Sequence, residues 1–172
     1  IAAPTPLFGD HVIVCGAGVL ALTVCVILRH AGVAHLLLEA DAQKVEAARA
    51  AGAPVFHGAA SRPDTLLAAG LTHALLVVLT FAHAQQALRI AQANAERRPA
   101  LTLWVSCRST TAAYAFRAMP NVRVYQQSFA AAIGLAEQVM STLGMSTELI
   151  EGHISAMRRR LDSSRLPGSS SS

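Results

Sequence analysis

Residues 11–41 read HVIVCGAGVLALTVCVILRHAGVAHLLLEAD, and the order of residue types in this stretch decides the fold. Residues 12–15 are an unbroken apolar run of the kind that forms a buried parallel strand. Gly16-Ala17-Gly18-Val19-Leu20-Ala21 follows as G-x-G-x-x-A and opens a long apolar segment of helical length. A second strand-like run, residues 35–38, ends on Glu39, 21 positions after Gly18. A phosphate-binding glycine turn and its ribose-binding acid are separated by about 20 positions. Gly16 lets the chain turn sharply out of the strand, Gly18 leaves room for a phosphate, and Ala21 keeps the helix close to the sheet. The first N–H groups of that helix offer partial positive charge to an anion.

The same alternation continues outward. Strands are expected at 54–57, 74–80, 101–106 and 122–125, and helices at 19–31, 42–51, 63–69, 83–98, 110–119 and 128–143. Asp41 is placed as the N-cap of the second helix, Pro63 starts the third, and Gly144 follows the sixth. Strands alternating with helices imply an α/β protein: a Rossmann-like doubly wound parallel sheet of about six strands, with helices on both faces. Ser146 caps a further C-terminal helix that runs to about residue 160. The organisation expected is a linker at 1–9, a nucleotide-binding domain at 10–144, a helical appendage at 145–165 and a polar, disordered tail at 166–172.

Composition bounds what such a domain does. The chain has 172 residues, enough for one domain with a real core. Its hydrophobic fraction of 53% is high, and much of it is alanine, which suits helices packed against a sheet. A net charge of +4 is modest, and neither aromatic interleaving nor a basic helical stripe accompanies it, so nucleic-acid binding is not expected. Residues 12–28 carry no charge over 17 positions, the lower limit for a spanning helix, but Gly16 and Gly18 divide them where a strand-to-helix turn belongs. Residues 1–10 lack a basic region followed by an apolar core, which argues against a signal peptide, and Ile1 suggests a fragment of a larger protein. Cys15, Cys25 and Cys107 form no C-x-x-C pair and are expected as buried small side chains, in keeping with a reducing, cytoplasmic setting.

Reactive chemistry finds no support. The histidines show no metal-ligand spacing, no G-x-S-x-G occurs, and Tyr114 has Ala118 four positions on where a Tyr-x-x-x-Lys pair requires lysine. No substrate domain is evident either, so an oxidoreductase's NAD-binding domain is the alternative reading and a non-enzymatic binding module the leading one. No Arg or Lys stands immediately after Glu39, whose charge disfavours a 2′-phosphate, so NADP is the weaker ligand.

Several further blocks, VFHGAASRPDTLLAAGL (55–71), ALLVVLT (74–80), WVSCRS (104–109) and SFAAAIGLAEQVMSTLG (128–144), follow in a fixed order. In that order the sequence resembles the regulator-of-potassium-conductance (RCK, or TrkA-N) nucleotide-binding domain, most of all the cytoplasmic domain of Kef-type monovalent cation:proton antiporters. The resemblance implies a domain that binds NAD(H), AMP or ATP, forms a homodimer and gates the transmembrane transporter domain of the same protein, on the cytoplasmic side of a bacterial inner membrane. It places Gly16, Ala17, Gly18, Val19 and Leu20 at the phosphates, Glu39, Ala40 and Asp41 at the ribose, and Ala59, Ala60 and Ser61 along the adenine. Thr80 and Phe81 fall at the end of the fourth strand and Arg108 after the fifth, as a phosphate or effector contact. Ala59 stands where the family usually has Asp, and Ser106 replaces an arginine of glutathione-gated members, so glutathione gating is not implied. Residues 129–143 are apolar over more than one helical stripe, which points to this helix for the dimer contact.

Overall fold

A strand buried along its whole length, β1 (His11–Cys15), stands at the middle of the sheet. The computed structural model describes residues 9–80 and 83–164. β1 pairs in parallel with β2 (His35–Glu39) on one side and with β4 (Ala74–Leu79) on the other. β3 (Val55–His57) lies outside β2, and β5 (Thr102–Cys107) and β6 (Val122–Gln126) extend the sheet beyond β4. The order is β3-β2-β1-β4-β5-β6 with every pair parallel, so the chain reverses its direction of winding between β1 and β4. The strand ends diverge there into a crevice, the place where open α/β sheets bind ligands.

The helices follow from the alternation of strand side chains. Val12, Val14 and Leu37 face α1 (Val19–His30) and α2 (Ala42–Ala50), which supply Ala21, Cys25 and Ala48 to that layer. Ile13, Cys15, Leu36, Leu38, Val77 and Leu79 point the other way. There they meet Leu66 of α3 (Pro63–Ala68) and Ala87, Ile90 and Ala91 of α4 (Ala84–Arg97). Alanine at the helix–sheet contacts explains the alanine-rich composition, since a small side chain allows close approach.

Two elements differ from the sequence reading. A short 3₁₀ turn, Leu71–His73, precedes β4 and buries Leu71. α5 covers Thr110–Tyr114, not 110–119. Beyond it the bonds Phe116 N–H to Ala113, Arg117 N–H to Tyr114 and Met119 N–H to Phe116 tighten the chain into turns. Phe116, 1% exposed, is drawn into the core, and Pro120 disfavours helical backbone at Met119. The uncharged run 12–28 is divided between β1 and α1, and among the described residues no helix is long and apolar enough to cross a membrane.

The chain divides into two compact units after Gln127. The second contains all but the first residue of α6 (Gln127–Thr142), together with α7 (Thr147–Ser164). Ile133, Ile150 and Ile154 bury a small cluster of their own, with Phe129 and Met140 packed against it. Leu135, Val139 and Leu143 remain exposed along one stripe of α6 and its end.

Candidate functional site

The turn out of β1 is built by a backbone that needs glycine at one position only. Gly16 has φ of +101°, a conformation that side chains rarely adopt, and its N–H donates to the Leu38 carbonyl at 2.8 Å. Gly18 is different. Its φ of −78° and ψ of 178° suit any residue, and a Cβ built there meets no atom within 4 Å. Neither conformation nor packing within the chain explains this glycine, so the open space in front of it is the informative feature.

Gly18 is also the N-cap of α1, and no side chain caps that helix. α2 behaves in the opposite way, because Asp41 Oδ1 accepts from the N–H groups of Gln43 at 2.8 Å and Lys44 at 3.2 Å. The first turn of α1 therefore presents its N–H groups and the positive end of its dipole at the crevice.

A cleft of about 620 Å³ opens over this turn, within the range of small-molecule sites. Gly16, Ala17, Gly18, Val19, Leu20, Glu39, Ala40, Ala59, Ala60, Thr80 and Arg108, all expected from sequence, line it together. Asp41 and Ser61 do not. The Asp41 side chain is engaged in capping α2, and Ser61 lines a separate hollow of about 40 Å³ beside Asn94. Phe81 lies outside the described residues.

Sequence reasoning missed Leu38, Lys44, Gly58, His83, Gln86 and Gln127 in the cleft wall. Lys44 is the instructive one. It stands five positions after Glu39 in sequence, in the first turn of α2, which brings it into the cleft wall. It shares the lining with Glu39, the one carboxylate among the described residues of the cleft wall. Gly58 has a packing reason, since a Cβ there collides with Cγ2 of Thr65 in α3.

Glu39 is held firmly. Its Oε2 accepts from the Ala17 N–H at 2.8 Å, and Oε1 accepts from the N–H groups of Ala40 at 2.7 Å and Asp41 at 2.8 Å. Its carbonyl accepts from Gly58 N–H at 2.8 Å, so this one residue ties three cleft loops together. Thr80 is engaged in a similar way, its hydroxyl donating to the Cys15 carbonyl at 2.7 Å and joining the ends of β4 and β1. Across the cleft, Gln127 Nε2 donates to Ser106 Oγ at 2.6 Å.

The arrangement suits binding better than bond-making. Burial pushes the Cys15 thiol up to about 12, with a further contribution from the Glu39 charge, so it stays protonated and poorly nucleophilic. Burial alone pushes Cys25 to about 11 and also raises Cys107. Among the described residues no group of His, Cys, Asp and Glu is placed to hold a metal ion.

Comparison with known proteins shows the family and the fold. The TrkA-N domain family matches residues 12–125. The putative K(+) efflux antiporter KefB of Alkalimonas amylolytica is 27% identical over 149 residues, which are 87% of this chain and 22% of the relative. The chain thus spans about a fifth of that relative's length. The Shewanella denitrificans Kef CTD in AMP bound form superposes with a TM-score of 0.77 at 23% identity, over 91% of this chain and 95% of that one. The TrkA-N domain of the Escherichia coli inner membrane protein ybaL gives 0.68 at 18% identity, over 76% and 97%. The GsuK channel bound to NAD gives 0.67 at 9% identity, over 76% of this chain and 24% of the channel chain. At these identities the superpositions establish the shared fold.

Proposed function

This chain belongs to the TrkA-N domain family, and from that premise we propose that it is the nucleotide-sensing regulatory domain of a potassium or other cation efflux system. The cleft takes an adenine nucleotide, AMP, ATP or NAD(H), with phosphate over Gly18 and the first turn of α1 and ribose at Glu39. Gly18 is the observation that carries the reading. A residue with ordinary backbone angles and empty space before its Cα is kept as glycine at the uncapped end of a helix, which is what close approach of a phosphate requires. The AMP-bound and NAD-bound states of the similar Kef and GsuK proteins support the ligand class.

The domain performs no chemistry on its ligand in this reading. It acts by population shift: the nucleotide binds one arrangement of a homodimer more tightly, and an attached transmembrane transporter responds to that arrangement from the cytoplasmic side. The exposed stripe Leu135, Val139 and Leu143 of the second unit supports a contact between copies. Melting temperatures with AMP, ATP, NAD⁺ and NADH at millimolar concentration test the proposal. One or more should raise the midpoint by several degrees, as ligands selective for the folded state do. No shift and no calorimetric binding with any of the four sinks it, and hydride transfer catalysed by the full-length protein favours the oxidoreductase alternative.

A further inference from the structure

Asn94 lies inside α4, where asparagine is a poor helix former and is seldom fully buried, yet it is only 3% exposed. Its side-chain Nδ2 and Oδ1 are closed to bulk solvent and have no hydrogen-bond partner among the described residues. A buried amide in that state is unfavourable at both atoms, and native structures pair such groups with protein or with a bound molecule. A space adjoins it, because Asn94 lines the hollow of about 40 Å³ that α4 forms with Ser61, Pro63, Leu66 and Leu71.

Two cations share that lining, Arg97 three positions after Asn94 and Arg89 five before it. Both are exposed, and neither makes an ion pair or hydrogen bond with a described residue. Arg98 is the contrast, since its guanidinium donates to the Leu71 and Ala74 carbonyls at 2.7 and 2.9 Å. Among the described residues no Asp or Glu lines the hollow. Water alone satisfies the amide, as the volume suits about three molecules, but it leaves two like charges uncompensated beside it. An oxyanion answers both needs.

We propose that the hollow between α3 and α4 is a second anion site, separate from the nucleotide cleft, and that it takes hydrogen phosphate. Arg89 and Arg97 supply charge-assisted donors, Asn94 Nδ2 donates to a phosphate oxygen, and Asn94 Oδ1 accepts from the P–OH. The last contact selects the ion, because phosphate keeps a P–OH at neutral pH while sulfate and chloride offer no donor. Size selects as well: about 40 Å³ against about 620 Å³ in the cleft suits a phosphate group and not a nucleoside. Ala60 lines both spaces, but they share no charged residue, so the proposal stands apart from the nucleotide reading. Because the amide is closed off beforehand, uptake shifts the wall slightly, and the affinity expected is millimolar.

The test titrates the whole chain with sodium phosphate, sulfate or chloride at neutral pH and constant ionic strength, read by amide NMR and by melting. Phosphate should move the side-chain NH₂ signals of Asn94 and the backbone signals of Ser61 and Ala93, with sulfate about fivefold weaker and chloride inert. At about 20 mM, phosphate should raise the melting midpoint by a few degrees over chloride. Asn94→Leu, which buries no unpaired amide, should melt above the parent in chloride and keep less than about half of the phosphate increment. The general stabilisation by such salts is common to both chains and subtracts out. An undiminished increment in Asn94→Leu overturns the site, and so do shifts confined to Gly18 and Val19, which put phosphate in the cleft alone. No shift with any anion leaves water as the occupant and also overturns it, while an equal response to sulfate overturns the assignment to hydrogen phosphate. Should Asn94→Leu not fold, the double variant Arg89→Gln, Arg97→Gln, altered only at exposed positions, takes its place and should lose the phosphate increment in the same way.

Discussion

The Glu39 carboxylate accepts the Ala17 N–H at 2.8 Å across 22 positions of sequence. The bond joins the end of β2 to the turn after β1, so the residue expected at a ribose also shapes the loop expected at a phosphate. In the proposed binding mode, substitution of Glu39 acts on both ends of the nucleotide.

Gly18→Ala separates binding from stability. Its Cβ enters open space and its φ is ordinary, so the melting temperature should stay within about 2 °C, a change below ~0.5 kcal/mol. Nucleotide affinity should fall about tenfold or more, because the methyl group occupies the phosphate's approach. Gly16→Ala should show the reverse emphasis, with a loss of about 1–3 kcal/mol in urea unfolding caused by its φ of +101°. An unchanged affinity in Gly18→Ala removes the main support for the proposed site.

Asp41→Ala distinguishes a cap from a ligand contact. The carboxylate holds two N–H groups at the start of α2, and losing it should cost about 1 kcal/mol of stability. Calorimetry should show AMP affinity within about twofold of the parent, well under the ~1.4 kcal/mol of a tenfold change. A larger loss returns Asp41 to the binding residues.

Gly58→Ala forces a methyl group against Cγ2 of Thr65 and should destabilise the chain by about 1–3 kcal/mol. Thr65→Ser removes that carbon and keeps the hydroxyl. The double variant should therefore recover at least half of the loss, a coupling measured by a double-mutant cycle of urea unfolding.

Alkaline pH should destabilise the fold through Cys15. The unfolded thiol releases its proton near pH 9, while the folded one holds it to about 12, chiefly because it is buried. Between these values the unfolded state binds fewer protons, so stability falls as pH rises, by about 1.4 kcal/mol per pH unit for this group. Comparing urea midpoints at pH 8 and pH 10 in the parent and Cys15→Ala isolates the contribution. The same slope in both chains counts against it.

Val139→Glu places a charge in the middle of the exposed apolar stripe of α6, where Val139 is 50% exposed. Sedimentation at micromolar concentration should show a dimer for the parent and a monomer for the variant, with helix content preserved. A parent that sediments as a monomer removes this part of the functional proposal.

The strands were legible because parallel strands covered on both faces need unbroken apolar runs, and residues 12–15 and 74–79 have no other simple use. The G-x-G-x-x-A turn, the acid at Glu39 and the capping role of Asp41 were equally local, since each depends on spacing within one βαβ unit. Helix α5 was overestimated because its end is decided by Phe116, which enters a core built from distant strands.

By itself, the sequence determined the order of strands and helices, the glycine turn and the acid that faces it, because backbone conformation and side-chain periodicity are short-range properties. Only the tertiary structure decided which residues share the cleft. Lys44 of α2, His83 and Gln86 at the start of α4, and Gln127 reach it from three different segments through the winding reversal at β1 and β4. It also decided that Glu39 is already bound by three amides, a fact of distance and direction across loops that no spacing along the chain encodes.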